Sequence, residues 1–228
     1  AISHVTIADD QHWSFEAPET PSLPAVKDAS WAKQPTDLFI LKRLEALELS
    51  PSARADKATL LRRVWLDLLG IPPSQPALTA FLQDTSEQAY LRMIDALLAS
   101  PHYGEKWGRH WLDVSRYGDS NGGDENHPYP HAFRYRNWII DAFNQDMAYD
   151  RFVRLQIAGD IIAPEKEGIV ATGFLVTGPH NTTKPSNDVM RLTMRQDEME
   201  DMVALVGQNT GSTEVGGYFL KYSSESNL

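Results

Sequence analysis

Asp56-Lys57-Ala58-Thr59-Leu60-Leu61-Arg62-Arg63-Val64-Trp65-Leu66-Asp67-Leu68-Leu69-Gly70-Ile71-Pro72-Pro73 reads as one helix with both ends written into it. Leu60, Leu61, Val64, Trp65 and Leu68 recur at three- and four-residue steps, the period at which side chains share a helical face. Gly70 supplies the residue that most easily ends a helix, and Pro72 and Pro73 stand just beyond it. The same period recurs on both sides of this stretch, and that recurrence sets the fold class as mainly α.

Upstream, Ile40, Leu41, Leu44 and Leu47 predict a first core helix that starts after Pro35 and Thr36 and ends near residues 49–51. Residues 1–35 carry Pro18, Pro21 and Pro24 and read as an extended arm. Downstream, short helical turns are expected around 77–82. A helix from Ser86 follows, with Tyr90, Met93, Ile94, Leu97 and Leu98 as its core stripe, closed by Ser100-Pro101. Residues 102–117 place Trp107, Trp111 and Val114 on one side, and His110, Asp113 and Tyr117 on another. A loop rich in Gly, Asp and Asn covers residues 119–130. The helix after it has Tyr135, Trp138, Ile139, Ala142 and Phe143 as apolar positions, while Arg134, Asn137, Asp141 and Asn144 share one face.

Asp150 is placed to cap a short helix through Ile157. The apolar piece 169–176 reads equally as a strand or a buried helical turn. A last amphipathic helix is expected over 189–206, with Leu192, Met199, Met202, Val203 and Val206 inward and the acidic run 197–201 outward. The expected organisation is a single-domain irregular helical bundle with long loops, residues 36–207. The extended arm 1–35 precedes it, and a polar tail 208–228, disordered or foreign to the gene, follows.

With 42% hydrophobic residues in 228, the chain can bury one sizeable core. Its 31 acidic against 21 basic side chains give a formal charge of -10, which argues against a partner that is read through phosphates. No nucleic acid and no membrane span are expected, because no apolar stretch approaches about 20 residues. The chain has no cysteine, so disulfides, thiolate zinc sites, iron–sulfur clusters and covalent c-type haem are all excluded within it. Any other cofactor is left open.

Several long runs are specific by themselves. They include Leu60-Leu61-Arg62-Arg63-Val64 through Asp67-Leu68-Leu69-Gly70-Ile71-Pro72-Pro73, and Ser100-Pro101-His102-Tyr103-Gly104-Glu105. Further along stand His110-Trp111-Leu112-Asp113-Val114-Ser115-Arg116-Tyr117, residues 134–144, and Gln156-Ile157-Ala158-Gly159-Asp160. Together with His12-Trp13-Ser14-Phe15 they resemble, in order and spacing, a planctomycete domain of unknown function associated with cytochrome c-like modules. The resemblance covers roughly residues 12–206. It implies an exported, extracytoplasmic protein with a partner domain in full-length relatives, and it implies no particular reaction. It also implies a Cys-x-x-Cys-His segment after the last helix. Here that position reads Asn209-Thr210-Gly211-Ser212-Thr213, so no haem claim carries over.

The residues themselves offer two groups with chemistry. His110 and Asp113, with Tyr117, His102 and Glu105 nearby, join an imidazole to carboxylates in the way that acid–base catalysis or metal ligation requires. Arg116, Arg134, Arg136, Asp119, Asp124 and Asp141 bracket the Gly-rich loop with both signs of charge. The expected site takes His110, Asp113 and Asp141 as catalytic and Arg116, Tyr117, Arg134, Arg136 and Asn144 as substrate-binding, for a carbohydrate-like ligand and hydrolase-type chemistry. Structural pairing of these charges is the plainer reading and stays beside it.

Asp119, Asp124 and Glu125 are candidate oxygen ligands for a metal, but no Glu closes a twelve-residue calcium loop, so a solvated loop is favoured. His127 and His131, separated by Pro128 and Pro130, make a poor zinc pair. Nucleophile elbows, phosphate-cradling loops, dinucleotide fingerprints and His-Glu-x-x-His are absent. Four of the six tryptophans fall on or beside apolar stripes and read as core. The rival function is a non-catalytic scaffold module of a cytochrome-associated redox protein. A third reading is self-association through an apolar face left uncovered.

Overall fold

The computed structural model describes residues 19–122, 126–178 and 187–210, and among them the fold is helical throughout apart from loops and one isolated bridge. The expectations on residues 1–18, on Asp124 and Glu125, and on the tail beyond Thr210 lie outside the described residues. Contacts divide the chain into two compact units, Ala1–Asp56 and Lys57–Leu228.

The first unit holds irregular chain from residue 19 and one helix, α1 (Pro35–Ala46). Pro35 opens it, and the Asp37 carboxylate accepts from the backbone N–H of Lys33 and Gln34 at 2.7 and 3.0 Å. Of the expected core stripe only Leu41 is buried. Ile40 and Leu47 stay exposed, since among the described residues this unit has one helix and no second layer to cover them.

The second unit carries α2 (Lys57–Leu69), α3 (Gln75–Gln83), α4 (Ala89–Leu98), α5 (Pro101–Val114), α6 (Phe133–Asn144), α7 (Tyr149–Ile162), α8 (Lys166–Ala171), a 3-10 helix (Thr172–Val176) and α9 (Asp188–Thr210). Helix α2 ends where its sequence says: Gly70 has φ +72° and its N–H reaches Leu66 O at 3.1 Å. The expected short turns at 77–82 are a full helix, α3, with Ser74 Oγ accepting from Ala77 N at 3.3 Å at its start. Leu61, Phe81 and Ala89 bring α2, α3 and α4 together in a small core.

The larger core belongs to α5 through α9 and contains Leu112, Tyr135, Trp138, Ile139, Phe152, Leu155, Phe174, Leu205 and Val206. Its centre is the α5–α6 pair, the most extensive helix interface among the described residues. A Cβ built on Gly104 would overlap the Ile140 carbonyl oxygen and stand 2.7 Å from the Asn144 side chain; one on Gly108 would lie 3.3 Å from Ile139 Cγ2. Asn144 fills the space so created. Its Oδ1 accepts from Gly104 N at 2.8 Å and its Nδ2 donates to Pro101 O at 3.2 Å, so the first turn of α5 is held by the last residue of α6.

Helix α5 stops at Val114, three residues short of the expected end. Tyr117 N donates to Leu112 O at 2.9 Å and Arg116 N to Asp113 O at 3.2 Å, a double closure that needs Arg116 in the left-handed region, φ +57°. The turn leaves Val114 exposed and takes Tyr117 off the helix face it was expected to share.

Other boundaries shift for local reasons. Helix α7 runs past Ile157 to Ile162 but is broken at Ala158, where Gly159 and Gly168 bring α7 against α8 backbone to backbone. Asp150 sits inside its first turn, and Ala148 is the N-cap. The ambiguous piece 169–176 is helical, the end of α8 plus the 3-10 turn. In α9 the buried side chains are Leu205 and Val206, whereas Leu192 and Met199, expected inward, are exposed.

Replacing Gly104 by Ala is expected to lower unfolding stability by about 1–3 kcal/mol through overpacking. Gly207, in α9 with nothing within 4 Å of an added Cβ, should gain about 0.5–1 kcal/mol when changed to Ala. Chemical denaturation of the two variants checks both signs.

Candidate functional site

The residues proposed from sequence do not gather in one place. Six of the eight expected catalytic and substrate-binding residues, His110, Asp113, Arg116, Tyr117, Arg134 and Arg136, line two cavities that share Tyr117 and Gly118 as a common wall, and both cavities lie in the second unit.

One cavity, about 720 Å³, opens beside α5 and holds His110, Asp113, Asp119 and Arg136, with Glu105, Lys106 and Arg109 around them. Most of its charges are already engaged. Asp113 pairs with Arg109 at 3.1 Å rather than with His110, and His102 pairs with Glu105 at 2.7 Å. Lys106 Nζ donates to Leu66 O at 2.8 Å and to Asp67 O at 2.6 Å, closing the C-terminal end of α2. The Asp119 carboxylate accepts from the Tyr117 hydroxyl at 2.7 Å. The His110 ring lies 5.5 Å from that of Trp107.

The other cavity, about 660 Å³, sits between the start of α6, the α8–3-10 segment and α9. Arg116 and Arg134 reach it from the sequence-predicted set, together with Tyr117. Ile169, Val170, Leu175, Val176 and Met202 form its apolar walls, and Tyr129, His131, Tyr135, Arg195, Glu198 and Asp201 complete it. Arg116 Nη1 lies 3.4 Å from Asp201 Oδ1, and its Nη2 donates to Asp201 O at 3.2 Å. Arg195 pairs with Glu198 at 3.2 Å. Two members of the acidic run expected to face outward therefore line a cavity, because α9 turns its Arg195–Glu198–Asp201 side toward α5 and α6.

Tyr135, which lines this cavity, belongs to a hydrogen-bonded triad with the buried Gln156 and the part-buried Trp111. Trp111 Nε1 donates to Gln156 Oε1 at 2.8 Å and to the Tyr135 hydroxyl at 3.2 Å, and that hydroxyl donates to Gln156 Oε1 at 2.7 Å. Ser115, fully buried, donates to Leu112 O at 3.1 Å, and Thr177 donates to Ser115 O. Burial pushes the Tyr135 phenol well above its ordinary value. Burial, then the hydrogen bond to Asp119, pushes Tyr117 up to about 12. Tyr129 is raised as well, by burial and then by the Glu198 carboxylate.

Asp141 is exposed on α6 and borders neither cavity, and Asn144 is occupied in joining α5 to α6. Asp119 is the one candidate metal ligand within the described residues, where no group of three or more His, Cys, Asp or Glu side chains is arranged to hold a metal ion. The sequence reading missed Glu198, Asp201, Arg195 and Tyr129. For α9 a signal existed, the three-residue recurrence of charge at 195, 198 and 201, which marks one helical face. For Tyr129, between Pro128 and Pro130 in a loop, no periodic signal exists.

The fold and these cavities define an all-helical domain with two side-by-side clefts, one mainly charged and one aromatic and apolar with paired charges. The match of a family model over residues 35–216 shows that the chain belongs to the PSCyt2 family, described as protein of unknown function (DUF1549). No curated protein and no solved structure matches it.

The two most strongly raised of the three phenols, Tyr117 and Tyr135, set an alkaline limit. Both stay neutral in the folded chain at pH values where an unfolded tyrosine, near 10, ionises, so their stabilisation is complete below pH 10 and is lost as pH rises through the folded values. Unfolding free energy is expected to fall steadily above pH 10. Tyr117→Phe and Tyr135→Phe should each flatten that fall in a pH series of denaturant melts.

Proposed function

We propose that this domain binds a carbohydrate-like, hydroxyl-rich ligand in the cavity between α6, the 3-10 helix and α9. The observation that supports this reading is the convergence of Tyr117, Tyr129 and two Arg–carboxylate pairs on a single apolar-walled cavity of about 660 Å³. That volume lies within the range of small-molecule sites, which combine apolar walls with a few polar groups that fix orientation. Aromatic faces suit the C–H faces of a sugar ring, and paired guanidinium and carboxylate groups suit its hydroxyls. Glu198 and Asp201, three residues apart on α9, are the carboxylates available for hydrolase-type acid–base work, the finer part of the proposal. An exported, extracytoplasmic location belongs to the same proposal.

A non-catalytic scaffold is the second reading. It is favoured by the structural employment of several candidates: Asn144 ties α5 to α6, and Asp113 and Arg109 satisfy each other. A scaffold of this kind would hold partner domains and show no saccharide response.

Titration calorimetry of the intact chain against a panel of neutral and acidic oligosaccharides tests the choice. Binding by some member of the panel is expected, with Tyr129→Ala weakening it about tenfold or more. A panel with no binder, or an unchanged affinity in both Tyr129→Ala and Asp201→Asn, removes the carbohydrate reading.

A further inference from the structure

Three guanidinium groups reach the proposed ligand cavity, Arg116, Arg134 and Arg195, and two carboxylates, Asp201 and Glu198. The carboxylates pair with Arg116 and Arg195. Three charges against two leave one positive charge over, and of these three arginines Arg134 is the one with no carboxylate partner among the described residues. This surplus stands inside a chain whose formal charge is -10, so it runs against the background.

Arg134 also sits at the second position of α6, a helix with no side-chain cap and no acidic residue in its first turn. The positive end of the helix dipole therefore adds to the guanidinium in the same place instead of being offset within the helix. The apolar walls Ile169, Val170 and Val176 provide no competing acceptor side chains. An anion at this point would complete the pairing that the other two arginines already have, and a planar guanidinium fork donates two parallel hydrogen bonds to carboxylate or sulfate oxygens.

We infer that the ligand of this cavity is acidic, a saccharide that bears a carboxylate or a sulfate, and that Arg134 receives the anionic group. The inference rests on the ligand cavity proposed above and names its substrate class. With Arg116 and Arg195 held by their own carboxylates, Arg134 is the specificity-determining residue, and the tyrosines and apolar walls contact the rest of the sugar without regard to charge.

The test is titration calorimetry of the full chain with three oligosaccharides of equal length: a neutral galactan fragment, a galacturonate fragment and a sulfated galactan fragment. At least one acidic fragment is expected to bind about tenfold or more tightly than the neutral one. In Arg134→Gln, with an unfolding temperature equal to that of the wild type, the acidic-to-neutral ratio should collapse toward one. Whichever acidic fragment binds best identifies the anion as carboxylate or sulfate. Equal affinity for neutral and acidic fragments in the wild type overturns the acidic-ligand inference and leaves the carbohydrate reading standing. If no fragment binds, the carbohydrate reading falls, and inorganic sulfate titrated into the same two proteins decides the rest. Sulfate binding lost in Arg134→Gln retains an anion site at Arg134, whereas no sulfate response overturns that as well.

Discussion

The close approach of α5 and α6 at Gly104 and Gly108 is the constraint on which the second unit depends. Without side chains at those two positions, the helices come near enough for Ile139 and Ile140 to press on the α5 backbone and for Asn144 to bond Gly104 N. That contact fixes the rotation of α6. The rotation places Tyr135 and Trp138 against Phe152 of α7 and Trp111 of α5, and from there the core extends to Phe174 and to the C-terminal half of α9. Both cavities are consequences of the same geometry. Their common wall, Tyr117-Gly118, is the first chain to leave α5 after its end, and the aromatic cavity begins where the first turn of α6 diverges from it.

Much of the fold was legible because helices announce themselves locally. A glycine at the end of α2 with two prolines behind it, and leucines at three- and four-residue steps within it, require no knowledge of the rest of the chain. The errors have one physical source, which is that burial depends on partners distant in sequence. Ile40 and Leu47 lie on an apolar stripe but have no layer above them among the described residues of their unit, and Leu192 and Met199 lie on a stripe of which only the far end, at Leu205 and Val206, reaches the core. Val114 and Tyr117 were misplaced because an arginine was not expected to adopt the backbone conformation that glycine prefers.

The candidate site was legible in its residue types and not in its grouping. Arg116, Tyr117 and Arg134 do line one cavity, and the segments 119–122 and 126–130 between them are joined by the pairing of Asn121 with His127 and of Tyr129 N with Asp119 O at 2.7 Å. His110 and Asp113 are neighbours on α5 as their spacing requires, yet they face the charged cavity, and Asp141 faces neither. The charge recurrence at 195, 198 and 201 marks a face of α9 in the sequence but does not say what that face meets. Its orientation is set by the packing of Leu205 and Val206 into the core, and the helix then carries Glu198 and Asp201 to the cavity as a rigid body.

The left-handed turn at Arg116 sets two demands against each other at a single codon. The backbone there favours glycine, because a Cβ in this conformation costs roughly 1 kcal/mol or more. The guanidinium that bridges to Asp201 and lines the cavity demands the opposite. A selection that rewarded thermal tolerance alone would drift toward glycine at this position, and the drift would disconnect α5 from α9 at the rim of the cleft.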